Sequence, residues 1–199
     1  PMARPKKDSS EKPAYEQLCD ACWEVLAQIP FAKITVKDIV ARARVNKNTF
    51  YYHFSYLDEL AHTCIRQALP IDIPRAFIAK EPNMTELLQS LFLKHEQDFS
   101  RIQLACSKQG SGILANYVRN EIQEYWYQEF KIDKTTLNHD ELICIAFASG
   151  GITAVLGESH SGSFNQQDIL HYLSSPFAQA AISILPKILI AAGQKSTQL

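Results

Sequence analysis

The sequence predicts an all-α protein, with three short helices at the amino terminus and a bundle of longer helices behind them. Apolar residues recur with the 3.6-residue period of an α-helix along most of the chain, and no convincing strand alternation is present. The first three periodic segments are short and closely spaced, whereas the later ones are longer. The 199 residues are 46% hydrophobic and 21% charged, which is typical of a folded globular protein.

The three amino-terminal helices are predicted from apolar stripes and capping residues. An apolar stripe with helical spacing runs from Tyr15 to Ile29. The second helix opens at Thr35, which can cap it, with Asp38 as the partner in a capping box. Asn46 is a good N-cap for a third helix over residues 47–53. Three short capped helices in succession therefore begin the chain.

The rest of the chain predicts a fourth helix and then a bundle. Ser55 with Asp58 repeats the capping pattern and starts the fourth helix. The longer apolar stripes cover residues 84–99, 113–130, 140–156 and 176–190, with a shorter segment at 166–174. Residues 140–156 are apolar nearly all round, which suits a helix buried on several sides. We place the boundary between two domains after residue 56, giving 1–56 and 57–199.

Charge is distributed unevenly and favours a nucleic-acid-binding amino-terminal domain. Residues 1–54 carry nine Lys and Arg against six Asp and Glu, whereas the remainder has a net charge of -4. A basic domain on an acidic body is a weak indication of nucleic-acid binding, and chance also explains an offset of this size.

Patterns typical of enzymes and metal sites are missing from the sequence. The six His are scattered without an HExxH motif, and Ser161-Gly162-Ser163 lacks the flanking residues of a nucleophile elbow. Cys19 and Cys22 have the CxxC spacing, but they lie on the apolar stripe without a second pair, which favours small core residues. We therefore expect no catalytic residues, no metal and no cofactor.

The second and third short helices have the arrangement of a helix-turn-helix motif, in which the second helix enters the DNA major groove. Phe50 provides the buried side of that helix. The remaining faces carry side chains that can bind bases or phosphates, namely Lys47, Asn48, Tyr51, Tyr52 and His53. Spacing alone is equally compatible with an amphipathic surface helix that carries scattered aromatic residues.

The segment Leu18–Leu60 resembles the amino-terminal DNA-binding domain of the TetR family of transcriptional regulators, in register and without a gap. Residues 35–39 resemble the opening of the second helix of that family. Residues 45–54, VNKNTFYYHF, resemble its turn and recognition helix and are the most specific stretch.

The resemblance implies roles for individual residues in binding double-stranded DNA. Thr35 would bind phosphate at a helix N-terminus. Lys47, Asn48 and Tyr51 would face bases, and Thr49, Tyr52 and His53 would hold the backbone. The complete set of expected DNA-binding residues is Lys6, Lys7, Thr35, Lys37, Arg44, Asn46, Lys47, Asn48, Thr49, Tyr51, Tyr52 and His53.

Three residues depart from the family pattern. Arg44 and Pro30 stand where the family commonly has Gly, and Leu57 replaces a Lys that contacts phosphate. The loss of one phosphate contact lowers both DNA affinity and its salt dependence. A flexible arm over residues 1–13 can compensate through its basic residues, Arg4, Lys6 and Lys7.

For the carboxy-terminal body, the resemblance implies a dimer interface formed by the last two long helices. The expected interface residues are Ala146, Gly150, Gly151, Ala154, Ala178, Ala181, Ile182 and Leu185. Packing of these small residues within one subunit is the alternative. A dimer is also expected because two half-sites about 34–36 Å apart require two recognition helices.

The resemblance also places a small-molecule pocket among the middle helices. The expected lining residues are Phe92, His95, Phe99, Tyr117, Tyr125, Trp126 and Phe147. For each of them, a place in the ordinary core is the alternative.

Together these patterns predict a homodimeric transcriptional repressor that leaves its operator when a small molecule binds. The odd number of Cys and the lack of a secretory leader favour a cytoplasmic protein, and the short apolar runs favour one that does not enter a membrane. An interaction module that keeps the fold but binds a protein partner through the amino-terminal domain is the alternative.

Overall fold

In the computed structural model, residues 12–70, 84–173 and 175–196 are described, and they contain ten α-helices and no strand. The helices are α1 (Ala14–Leu26), α2 (Val36–Ala43), α3 (Lys47–His53), α4 (Leu57–Ala68), α5 (Met84–Lys94), α6 (Glu96–Cys106), α7 (Ile113–Glu129), α8 (His139–His160), α9 (Gln166–Leu173) and α10 (Pro176–Ser196). Short 3₁₀ turns occur at Phe31–Lys33, Lys108–Gly110 and Lys134–Thr136. The all-α prediction is confirmed.

The helices α1 to α3 pack around one fully buried apolar cluster. Its members come from α1, α2, α3 and α4 and have no exposed surface: Leu18, Leu26, Ile39, Phe50 and Leu60. Both predicted caps are present, since Thr35 and Asp38 form a capping box and Asn46 caps α3. The predicted bounds of α3 agree with the structure.

The predicted cap of α4 is wrong. The helix begins at Leu57 with Tyr56 at the N-cap position. The backbone N–H of Ser55 donates to the Glu59 carboxylate at 2.6 Å. Asp58 instead accepts a hydrogen bond from the Tyr117 hydroxyl, at 2.6 Å. The hydrogen bond from Tyr117 therefore occupies the Asp58 carboxylate, which the sequence pattern assigned to the cap of α4.

The predicted helix over residues 84–99 is interrupted at His95. The backbone of His95 (φ -114°, ψ 28°) separates α5 from α6. The rings of Phe92 and Phe99 nonetheless lie 4.6 Å apart across the break. Because both sides of the bend contribute to the same cluster, the apolar stripe reads as one continuous helix in the sequence.

The helix α8 is buried on one face only, so the prediction of burial on several sides is wrong for the single chain. Its buried residues recur every four positions: Glu141, Ile145, Ser149 and Thr153. The other side exposes 65% of Ile143 and 75% of Phe147. The helix α10 similarly exposes Phe177, Ile184 and Ile190.

By length and composition, α8 and α10 could each cross a membrane, a criterion that core helices of soluble proteins also meet. The sequence prediction excluded a span because it considered only uninterrupted apolar runs. This finding by itself is weak evidence for insertion.

Two glycines allow close approaches between segments of the body. A Cβ atom on Gly157 of α8 would lie 2.4 Å from the carbonyl oxygen of Cys106, at the end of α6. A Cβ atom on Gly193 of α10 would lie 2.1 Å from the carbonyl oxygen of Phe130, just after α7. The position of these helices therefore depends on glycine at both sites.

Candidate nucleic-acid interface

The helix α3 has one fully buried anchor and several exposed polar side chains. Phe50 is completely buried in the apolar core, and it fixes the rotation of the helix. Tyr51 and Tyr52 are 52% and 84% exposed, and Lys47 and Asn48 are also exposed. A short rigid helix thus presents an ammonium group, a carboxamide and two phenols to solvent.

The amino end of α3 is held by its own cap. The Asn46 side-chain oxygen accepts hydrogen bonds from the Thr49 backbone N–H at 2.8 Å and from the Thr49 hydroxyl at 3.1 Å. Substitution of such a cap typically costs about 1 kcal/mol. Asn46 and Thr49, both expected to contact DNA, therefore have a structural role in the free protein.

The carboxyl end of α3 is held by an aromatic cluster. The ring of Tyr15 from α1 stacks on Phe54 at 5.4 Å and meets His53 edge-on at 5.9 Å. His53 is half-buried and also contacts the Tyr52 ring at 4.9 Å. These contacts orient Tyr52 and His53, two of the expected backbone-contacting residues.

The amino end of α2 lies at the surface beside α3. The Thr35 hydroxyl donates to the Asp38 carboxylate at 2.7 Å, and the Thr35 backbone N–H donates to the same carboxylate oxygen at 2.9 Å. These two bonds hold the pKa of Asp38 below its usual value. Lys37 is exposed on the first turn of the helix. A phosphate bound at this helix N-terminus would find the Thr35 hydroxyl already donating its hydrogen bond to Asp38.

Arg44 occupies the left-handed conformation in which the family commonly has Gly. Its φ and ψ are 55° and 34° at the carboxyl end of α2. This conformation costs a non-glycine residue roughly 1–2 kcal/mol. Arg44 is exposed and lines an open cleft of about 520 Å³ with Glu24, Ala41 and Arg42, the last of which pairs with Glu24. The turn therefore tolerates the side chain and leaves its guanidinium at the surface.

Some relevant residues lie outside the predicted set or outside the described residues. Arg4, Lys6 and Lys7 belong to residues 1–11, which are not described. Tyr56, the N-cap residue of α4, is 60% exposed, and Lys33 is exposed in the turn before α2. Sequence reasoning missed both, although a tyrosine directly before the predicted fourth helix was a visible signal.

Residues 18–63 match the family of bacterial regulatory proteins described as the tetR family. The match begins in α1, includes α2 and α3 and ends within α4. This segment is a TetR-family domain. The chain accordingly carries the amino-terminal domain of a family of DNA-binding transcriptional regulators. No curated protein matches the chain.

The TetR-family domain is joined to the body through α4. The Tyr117 hydroxyl of α7 donates to Asp58, and the Tyr117 ring stacks on His62 with centroids 3.7 Å apart. Burial, with the Asp58 carboxylate, raises the pKa of Tyr117 to about 12. Arg66 pairs with Glu121 at 3.1 Å one turn further along. Tyr117, which we expected in a ligand pocket, thus lies at the junction between the two parts.

A second junction connects α1 to α6. The Arg101 guanidinium lies 3.2 Å from the Asp20 carboxylate and 5.8 Å from the centre of the Trp23 ring. Sequence reasoning missed both junctions because they join residues more than fifty positions apart.

The other expected pocket residues fall into two groups. Phe92 and Trp126 are buried, and His95, Phe99 and Tyr125 are half-buried in the body. Among the described residues, the buried Tyr125 hydroxyl has no hydrogen-bond partner. Phe147 is different, since it lies on the exposed face of α8 and therefore does not line an enclosed cavity of its own chain.

The expected dimer residues also divide by position. Ala146, Gly151 and Ala154 are exposed on α8, and Gly150 is half-buried beside them. Ala178 was expected at the interface, but it is only 3% exposed because its own chain already covers it. Leu185 is half-buried against the core of its own chain, and the side chains of Ala181 and Ile182 lie outside those described.

Proposed function

We propose that this chain is a cytoplasmic homodimeric repressor that binds an operator through α3 and is released by a small-molecule effector. The observation that carries the proposal is the arrangement of α3, where the buried Phe50 anchors a helix that exposes Lys47, Asn48 and Tyr51. A short helix of this kind can enter the major groove and reach base edges.

The chemistry of the surface around α3 supports phosphate binding at its edges. Lys33 and Lys37 are exposed near the amino end of α2, and Arg44 is exposed in the turn between α2 and α3. Each Lys or Arg that neutralises a phosphate releases counterions and steepens the salt dependence of affinity. Tyr52 and Tyr56 add exposed hydroxyls that can donate to phosphate oxygens.

Dimerisation through α8 and α10 is supported by their uncovered apolar side chains. Phe147 and Ile143 on α8 and Phe177 and Ile184 on α10 each expose more than half of their surface. Large apolar side chains that are exposed on two packed helices are typical of a protein interface. Two copies related by a twofold axis would bury these side chains and would place two recognition helices on one DNA duplex.

The response to an effector would be a population shift transmitted through α4. A ligand that binds more tightly to a conformation with misplaced recognition helices lowers operator affinity by that difference. The contacts of Tyr117 with Asp58 and His62 tie α7 to α4, so a shift of α7 would displace α4. The buried Tyr125 hydroxyl on α7 offers a polar group that an effector could pair with.

DNA binding is tested with variants of the exposed face of α3. Duplexes would first be enriched from a random-sequence pool by the wild-type protein. We expect Lys47→Ala and Tyr51→Ala each to lose about 1–3 kcal/mol of binding free energy on those duplexes, because each removes a base-edge contact. Tyr172→Ala is the matched control, since Tyr172 is a similarly exposed tyrosine on α9.

The measurement is a titration of each variant at several salt concentrations, with circular dichroism to verify the fold. Wild-type affinity in both variants would refute the assignment of α3. A wild-type protein that enriches no sequence would instead favour the interaction module that binds a protein partner.

A further inference from the structure

Three buried cysteines meet where α1 packs against α4. Cys19 and Cys22 are on α1 and Cys64 is on α4, and they are 6%, 2% and 1% exposed. The Cys64 thiol donates to the Cys19 backbone carbonyl at 3.8 Å. All three are free thiols. Cys19 and Cys64 are 45 positions apart in the sequence, so the cluster is a product of tertiary packing.

A small cavity leads to this cluster. Its volume is about 130 Å³, several times the space that a water molecule needs. Cys19 and Cys64 both contribute to its wall. The remaining wall is mostly polar or charged: Lys12, Glu16, Asp20, Trp23, Gln67, Ala68, Asp98 and Arg101. A small polar molecule can therefore reach Cys19 and Cys64 although both residues are buried.

The two thiols of the cavity differ in acidity. The neighbouring Cys64 thiol lowers the pKa of Cys19, whereas burial and the Asp20 carboxylate raise it and the Arg101 guanidinium lowers it. The hydrogen bonds with Cys19 and Cys22, together with burial, raise the pKa of Cys64. Cys19 is consequently the more acidic thiol of the pair. The thiolate is the reactive form of cysteine.

We propose that Cys19 and Cys64 form an oxidation site at which a small hydroperoxide produces a disulfide between α1 and α4. The Cys19 thiolate attacks a peroxide oxygen, the O–O bond breaks, and the released hydroxide takes a proton from solvent. The resulting sulfenic acid reacts with the Cys64 sulfur, which loses its proton, and the S–S bond forms as water leaves. Two thiols are oxidised by two electrons in total, and hydrogen peroxide is reduced to two water molecules.

The disulfide would also change DNA binding, a consequence that rests on the function proposed above. Its sulfurs must lie about 2.0 Å apart, much closer than two sulfurs in van der Waals contact. Formation of the bond therefore draws α1 and α4 together. Since α1 packs against α2 and α3, this movement displaces the recognition helix relative to the body that α4 contacts. Operator affinity falls in the oxidised protein.

The chemistry is tested on the full chain with hydrogen peroxide, followed by peptide mapping without reductant. We expect one linked peptide pair joining Cys19 to Cys64 in the wild type and in Cys144→Ser, a control variant in which a cysteine outside the cluster is replaced. Cys64→Ala should give a sulfenic acid on Cys19, trapped with dimedone, and no interhelical disulfide.

Two results of the mapping would overturn the proposal. Both are obtained with the wild-type protein, so neither depends on whether a variant folds. One is a wild-type protein in which Cys106 or Cys144 is oxidised while the cluster stays reduced. The other is a disulfide that joins Cys22, which does not line the cavity in the described structure.

The regulatory consequence is measured separately on the enriched duplexes. We expect oxidation to weaken binding at least tenfold in the wild type and in Cys144→Ser, and dithiothreitol to restore it. Equal affinities of the oxidised and reduced wild type would overturn the regulatory consequence. If the reduced protein binds no duplex, the proposed function is contradicted. The disulfide map would still show whether Cys19 and Cys64 form the oxidation site.

Discussion

Replacement of Gly151 by Leu separates the stability of the single chain from the stability of the proposed dimer. Gly151 is exposed on α8, and in the described part of the chain nothing lies within 4 Å of a Cβ atom at this position. A larger side chain therefore meets no obstacle within its own subunit. It meets one only if a second copy packs against this face.

The two effects have opposite signs. Glycine inside a helix costs about 0.8–1.0 kcal/mol relative to alanine, and leucine is nearly as favourable as alanine, so Gly151→Leu should stabilise the single chain by about that amount. Overpacking at a tight interface costs about 1–3 kcal/mol. A twofold dimer contains the substitution twice, which gives about 2–6 kcal/mol against association. This corresponds to a dissociation constant raised by about 30-fold to about 10⁴-fold.

The assay is sedimentation equilibrium across nanomolar to micromolar concentrations, with urea unfolding of the monomer as the second measurement. The matched control is Gln97→Leu, which adds the same side chain at an exposed position of α6. We expect a monomeric, slightly more stable Gly151→Leu and a control that dimerises normally. A Gly151→Leu protein with the wild-type dissociation constant would refute an interface on this face of α8.

Two further predictions concern the body. Gly157→Ala should destabilise the chain by roughly 1–3 kcal/mol in urea unfolding, because its Cβ would lie 2.4 Å from the Cys106 carbonyl oxygen; an unchanged midpoint would contradict this packing. The Glu141 carboxylate accepts from the Lys195 ammonium at 2.5 Å and from the Asn138 backbone N–H at 3.0 Å, and these bonds lower its pKa. The stability that these bonds give is present above the unfolded-state pKa of about 4.3. It is lost as the pH falls through the lower pKa of Glu141 in the folded protein. Glu141→Gln should therefore flatten the acid limb of a thermal-unfolding profile.

The sequence by itself determined the local structure of the TetR-family domain. The capping box of Thr35 and Asp38 and the Asn46 cap of α3 were predictable because their partners lie within three residues of one another. The exposed face of α3 was predictable for the same reason, since one buried Phe50 in a seven-residue helix fixes which side chains face outward. The departure at Arg44 was visible too, and the structure adds its left-handed backbone.

Only the tertiary structure decided which partner each long-range contact would have. Asp58 was expected to cap α4 but accepts from Tyr117, 59 positions away, and this bond places Tyr117 at the junction between α4 and α7. Phe147 is exposed and Ala178 is covered by its own chain, and the sequence could not give either result because a helical apolar stripe does not specify which neighbour covers it. The meeting of Cys19 with Cys64 has the same origin, because residues that far apart become neighbours only when two helices pack. Local hydrogen bonds can be read from spacing along the chain, whereas packing depends on every helix that competes for the same surface.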